Sequence, residues 1–272
     1  MEIKFKLVSV KFGESELHGL WNEIENPNGT AVHVHGTWGN FYANPFIMPT
    51  GKLYSEFGLN FLTANFPGHD ETSVNEKFEE FSKALDDWLK MCYPSGPLLL
   101  QGHSLGALKI LFYMSDQNAK NKDRVTAIVL LSPFDIVAFY SHGQLDKIDE
   151  RLNRVKELIK VKGPNANVPS DIFDMWPISN QTFYNVASPK NDSDQFPSRL
   201  RLEGAFLYNI EVPIFIGIGS EDFAAYPSPN EVIQMIKKKN NIFPTIINGA
   251  PHNFAGQTDL LVIQLKDWLK NN

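Results

Sequence analysis

Apolar and polar residues alternate with period two over residues 3–11 and 15–24, on either side of Gly13-Glu14-Ser15. This predicts an N-terminal hairpin. Beyond the strong turn Asn26-Pro27-Asn28-Gly29 the pattern changes. Short continuous apolar runs of buried-strand type occur at 30–35, 60–65, 125–131, 212–218 and 242–247, and a further run, Leu98-Leu99-Leu100, leads into a glycine. Helical spacing fills the gaps. Phe78, Phe81, Leu85, Trp88 and Leu89 recur at three- and four-residue steps and predict a helix over 74–91. Further helices are expected at 45–58, after residue 105, at 228–239 and at 260–269. Strands alternating with helices imply an α/β chain whose sheet is mostly parallel and covered on both faces.

Residues 136–210 break this rhythm. One amphipathic helix is expected near 145–161, with Leu145, Ile148, Leu152, Val155 and Ile159 on one face. The rest reads as irregular, with Pro164, Pro169, Pro177, Pro189 and Pro197. It is rich in aromatics, among them Phe139, Phe173, Trp176, Phe183, Tyr184 and Phe206. A structureless loop of this length is improbable in a compact domain. The expected organisation is a core of 1–135 and 211–272 with a lid, 136–210, inserted between two strands.

Composition narrows the classes. Hydrophobic residues make up 43% of the 272 residues, enough for a sizeable core, and the formal charge is −6. A mildly acidic chain is a poor fit to nucleic acid or an anionic membrane as main partner. The single cysteine, Cys92, excludes an internal disulfide and a cysteine-rich metal site. No signal-type apolar segment opens the chain and no run reaches membrane-spanning length, so a soluble cytoplasmic protein is expected.

The chemistry-bearing stretch is Gly102-His103-Ser104-Leu105-Gly106. A buried-type strand precedes it and helical spacing follows, which is the strand–turn–helix setting of a serine nucleophile elbow. Glycines on either side of the turn let strand and helix approach closely. Serine needs a base, because its hydroxyl is a weak nucleophile at neutral pH. The only histidine after the insertion is His252, which follows the last predicted strand in Ala250-Pro251-His252-Asn253. Loops at the carboxyl ends of strands are where open α/β sheets place their chemistry. The base in turn needs a carboxylate to orient it. Asp222, in Gly219-Ser220-Glu221-Asp222, is the first candidate and Asp135, after Ser132-Pro133-Phe134, the second. Oxyanion donors are expected from the Leu105 N–H and from the loop His35-Gly36-Thr37-Trp38-Gly39-Asn40, with Thr37 favoured and Trp38 next. His35 reads as a scaffold residue, and His33 and His35 alone make a weak metal pair. No phosphate loop or metal cluster points to a cofactor, and none is expected.

Taken together, His35-Gly36-x-x-Gly39-Asn40, Asn65-Phe66-Pro67-Gly68-His69-Asp70, Gly102-His103-Ser104-Leu105-Gly106, Gly219-x-x-Asp222 and Pro251-His252 resemble the α/β-hydrolase superfamily over the whole chain except the lid. The order Ser, Asp, His matches as well. The H-G-x-x-G-N variant is similar to that of feruloyl- and acyl-esterase-type members, whose first variable residue supplies the oxyanion N–H. The resemblance implies the α/β-hydrolase fold and a triad, but not a substrate. The expected activity is a serine hydrolase cleaving a carboxylic ester of a small-molecule acyl substrate through an acyl-enzyme. An acyltransferase or thioesterase for carrier-bound acyl groups, and a non-catalytic small-ligand receptor, are the alternatives. Trp38, Trp176 and Tyr184 are the candidates for lining the substrate.

Overall fold

The structure is a computed structural model describing residues 4–68, 76–92, 95–134, 148–174, 177–188, 206–236 and 239–272. Eight strands form one sheet: β1 (Phe5–Phe12), β2 (Ser15–Asn22), β3 (Gly29–Val34), β4 (Leu59–Ala64), β5 (Leu98–His103), β6 (Val125–Leu131), β7 (Ile214–Gly219) and β8 (Ile242–Ile247). Their spatial order is β1-β2-β4-β3-β5-β6-β7-β8. β2 runs antiparallel to both neighbours, and β4, β3, β5, β6, β7 and β8 pair in parallel. The central strands β3, β5 and β7 are buried at every position. That is why they read as continuous apolar runs, while no position of the edge strand β1 is fully buried.

Helices cover both faces, as the alternation requires. One face carries α2 (Phe78–Cys92) and α3 (Leu105–Ser115). Here Phe81, Leu85 and Trp88 of α2 join Leu108 and Leu111 of α3 over Val32, Leu100 and Ile128. The other face carries α1 (Ile47–Glu56) and the last helix, Thr258–Asn271. There Ile47, Leu53 and Tyr54 meet Leu261, Leu265 and Trp268 over Ala31, Val129 and Phe215. Beneath this face Tyr54 donates to Gln101 Oε1 (2.6 Å), and the Gln101 amide reaches Thr50 Oγ1 (3.2 Å) and His33 Nδ1 (3.0 Å). His33 is thereby tied into the core through Nδ1.

Between β6 and β7, the described residues contain more helix than the sequence pattern implied. The expected amphipathic helix is α4 (Ile148–Lys162). A second helix, α5 (Asn180–Ala187), occupies part of the stretch read as irregular, followed by a 3-10 turn at Phe206–Asn209. The sequence AsnGlnThrPheTyrAsnValAla has few strong helix formers. Its start is fixed by the Ser179 hydroxyl, which accepts the Thr182 N–H (3.0 Å), and by packing against α4. Hydrogen bonds among the described residues tie the segment to the body. The Trp38 indole N–H donates to Pro177 O (3.1 Å), and the Glu76 N–H to Thr182 Oγ1 (2.8 Å). The remaining helices are α6 (Pro229–Met235), shorter than the predicted 228–239, and α7 (Thr258–Asn271), longer than the predicted 260–269. No helix among the described residues is long and apolar enough to cross a membrane.

Candidate active site

β5 ends at His103 and α3 begins at Leu105, so Ser104 is the turn between them. Its backbone lies at φ 56°, ψ −125°, a region costly for any residue with a Cβ, by about 1–3 kcal/mol. The sheet holds it there: the Ser104 N–H donates to Leu131 O (3.0 Å) of β6. Close approach also explains the flanking glycines. A Cβ on Gly102 would fall 2.5 Å from Gly106 O, and one on Gly106 would collide with the carbonyls of Val34 and His35. Leu105 opens α3, where first-turn N–H groups have no intrahelical acceptor.

The loop after β3 comes against this turn. Gly36 packs directly on Ser104, and Gly39 N–H closes a tight turn on Gly36 O (3.0 Å). Thr37 and Trp38 are the two residues inside that turn. Trp38 takes φ 61°, unusual for a bulky side chain, and is 55% exposed. His35 holds the loop from below. Its Nε2 accepts the Phe66 N–H (3.3 Å), which leaves the Nδ1–H to donate to Gly36 O (2.9 Å).

Two further loops meet at the same edge of the sheet. Asp222 follows β7 and is 4% exposed. Its Oδ1 accepts the His252 Nδ1–H (2.8 Å) and the Ala224 N–H (2.9 Å). Burial alone would raise this carboxyl. The hydrogen bond and charge of His252, with smaller help from the Ser132 hydroxyl and the Ala224 N–H, outweigh burial and hold it below the usual aspartate range. The loops are also stitched through their backbones: Glu221 N–H donates to Ala250 O (3.0 Å) and Gly249 N–H to Ser220 Oγ (2.7 Å). Glu221 itself faces solvent.

Of the candidate residues, Asp222 and His252 are in direct contact. Ser104 joins them through its neighbour His103, whose ring lies 4.9 Å from that of His252. Leu105 follows the serine at the start of α3, and Thr37 and Trp38 follow Gly36, the residue that packs on Ser104. Tyr184 lies on α5, where its ring carries Lys156 Nζ at 5.5 Å from the centroid. Asp135 and Trp176 lie outside the described residues, as do His69 and Asp70. Two neighbours were not foreseen. Phe223, 58% exposed, packs its ring 5.1 Å from His252, and His103 donates to the His252 carbonyl. The apolar residue after the acid was a visible signal for the first. Nothing in the sequence joins positions 103 and 252.

Sheet order, helix placement and elbow define an α/β-hydrolase fold. Solved structures with the same fold span nearly the full chain. The siderophore hydrolase EstB from Aspergillus fumigatus is 14% identical with a TM-score of 0.71, covering 98% of both chains. Est1E from Butyrivibrio proteoclasticus, solved with ferulic acid bound, is 16% identical with a TM-score of 0.68, covering 97% of this chain and 98% of its own. A soluble variant of monoglyceride lipase from Saccharomyces cerevisiae, in complex with a substrate analog, is 13% identical with a TM-score of 0.68, covering 100% of this chain and 96% of its own. No curated protein sequence matches. The chain belongs to the family described as protein of unknown function (DUF1749), whose model matches residues 50–270.

Proposed function

We propose that the protein is a serine hydrolase acting on carboxylic esters through a Ser104–His252–Asp222 triad. The observation that carries this reading is the His252–Asp222 contact of 2.8 Å, standing at the same sheet edge as a serine in the strained elbow conformation. Asp222, held ionised, fixes the His252 tautomer with hydrogen on Nδ1, leaving Nε2 free to act as base. Ser104 Oγ attacks the acyl carbon and its proton passes to His252. The N–H groups of Leu105 and Thr37 receive the oxyanion. His252 then protonates the leaving alcohol, and a water activated by the same histidine releases the acid and restores the serine.

Residues 136–210 act in this reading as a lid over the mouth of the site. The bond from Trp38, inside the oxyanion turn, to Pro177 of the insertion supports that placement. The exposed rings of Trp38 and Phe223 at the rim favour an ester with an apolar or aromatic group. Their large exposure fits a surface used for binding. EstB, Est1E and the yeast lipase are named as hydrolase, ferulic acid binder and lipase on this fold, which is consistent with ester chemistry here.

A panel of p-nitrophenyl and methyl esters with acetyl, octanoyl and cinnamoyl-type acyl groups tests the proposal. Turnover by the wild type, lost in Ser104→Ala by several orders of magnitude, is the expected outcome. Equal turnover by the two proteins would overturn it.

A further inference from the structure

We propose that His103, the residue before the serine, is a positioning residue that holds the backbone of His252 in register with Ser104. The inference rests on the Ser104–His252 reading above and adds a residue that motif and triad do not assign.

His103 is 5% exposed, and both ring nitrogens are engaged. Nε2 lies 2.9 Å from the main-chain carbonyl of His252, and Nδ1 lies 3.3 Å from the Asn44 side-chain nitrogen. A carbonyl only accepts, so Nε2 must carry the hydrogen. Nδ1 is then the acceptor, and the Asn44 amide donates to it. One neutral tautomer satisfies both partners. The ring is wedged by Phe46 (centroids 5.1 Å apart) and Phe254 (6.5 Å). Burial, with His252 as a second cause, lowers the imidazole to about 3, so it stays neutral at working pH. Neutrality suits the place. A second imidazolium 4.9 Å away would oppose the charge that His252 acquires in each proton transfer.

The covalent geometry makes the contact consequential. Asp222 fixes the His252 ring at Nδ1, and the bonds from Glu221 N–H to Ala250 O and from Gly249 N–H to Ser220 Oγ tie its loop to the loop after β7, but none of these reaches the elbow. The bond to the His252 carbonyl anchors that loop to position 103, one peptide from the nucleophile. Asn44, just before α1, extends the tie to the loop that carries the oxyanion turn. Elbow, base loop and oxyanion loop therefore meet at one imidazole. His103 is not itself the base: both of its nitrogens are already committed.

The test compares His103→Phe, which keeps a ring and loses the donor, with His103→Gln, which keeps an amide donor, and with Asn44→Ala. Each is measured for kcat, KM, second-order labelling by a fluorophosphonate probe, and thermal midpoint. Ser104→Ala and His252→Ala accompany them. A misplacement of the base approaching 1 Å costs up to about 100-fold in rate. Expected is a fall of roughly 10- to 100-fold in kcat and in labelling rate for His103→Phe, with KM within about twofold, and recovery to within about fivefold of wild type for His103→Gln. If His103→Phe does not fold, Asn44→Ala carries the test, with the same loss in kcat at smaller amplitude. Wild-type kcat in folded His103→Phe, or in Asn44→Ala where His103→Phe does not fold, would overturn the positioning role. So would a loss in His103→Phe that His103→Gln does not relieve. If Ser104→Ala still labels, or His252→Ala keeps its rate, the triad reading itself fails, a result distinct from failure of His103.

Discussion

Gly36→Ala tests why a glycine must stand before the oxyanion turn. The added methyl would lie 2.7 Å from Ser104 Cβ, 2.9 Å from His103 O and 3.2 Å from Ser104 Oγ. Carbon–carbon contacts relax to about 3.5–4.0 Å, so methyl and serine must separate by about 1 Å. Neither neighbour yields easily. His103 O ends the central strand β5, and Ser104 is bonded through its N–H to Leu131 O (3.0 Å). The strain must move the serine, the turn carrying Thr37, or both. Overpacking of this kind costs about 1–3 kcal/mol of stability. A displacement of about 1 Å between reacting groups costs about 100-fold in rate. The expected result is a folded enzyme with kcat on esters lowered about 100-fold, KM little changed, and urea stability lowered by about 1–3 kcal/mol. Gly13→Ala is the control. It has φ 59° and no atom within 4 Å of the added carbon. It should lose about 1 kcal/mol from backbone strain and keep kcat. Wild-type kcat in Gly36→Ala would refute the argument that this approach sets the geometry of attack.

Asp222→Asn should fold and lose about 10⁴ in kcat, read by ester turnover, since the charge that stabilises the His252 imidazolium is gone; a loss below tenfold would move the role elsewhere, with Asp135→Asn the next variant to measure. Stability should fall with acid. His33 and His103, both pushed down to about 3 by burial, stay neutral in the fold, whereas the unfolded chain binds protons near pH 6.5. Above that pH the two contribute no slope, and below it the unfolding free energy drops by up to about 1.4 kcal/mol per pH unit for each. Urea midpoints from pH 7.5 to 4.5 check this, and a flat profile would contradict it. Phe223→Ala should raise KM several-fold for cinnamoyl-type esters relative to acetyl esters while fluorophosphonate labelling persists; an unchanged ratio would remove Phe223 from the substrate rim.

The alternation of strands and helices was legible because the central strands β3, β5 and β7 are buried on both faces and helices such as α2 and α7 on one, and burial is what patterns a sequence. The elbow was legible for a different reason: its glycines answer to a collision of backbones, which only glycine avoids. Helix α5 was not. Its residues are indifferent helix formers, and it exists because the Ser179 cap and α4 support it. The Trp38–Pro177 and His103–His252 contacts join residues 139 and 149 positions apart. A single sequence carries no trace of such pairs. Asp222 could be ranked over Asp135 from position, but only the 2.8 Å contact with His252 gives it a partner.

Reaction with a fluorophosphonate, followed by intact mass and peptide mapping, tests the central claim most directly. The account predicts one adduct per chain, on Ser104, formed by the wild type and absent in Ser104→Ala. Absence of any adduct on folded wild-type protein, or an adduct on another serine, would contradict it.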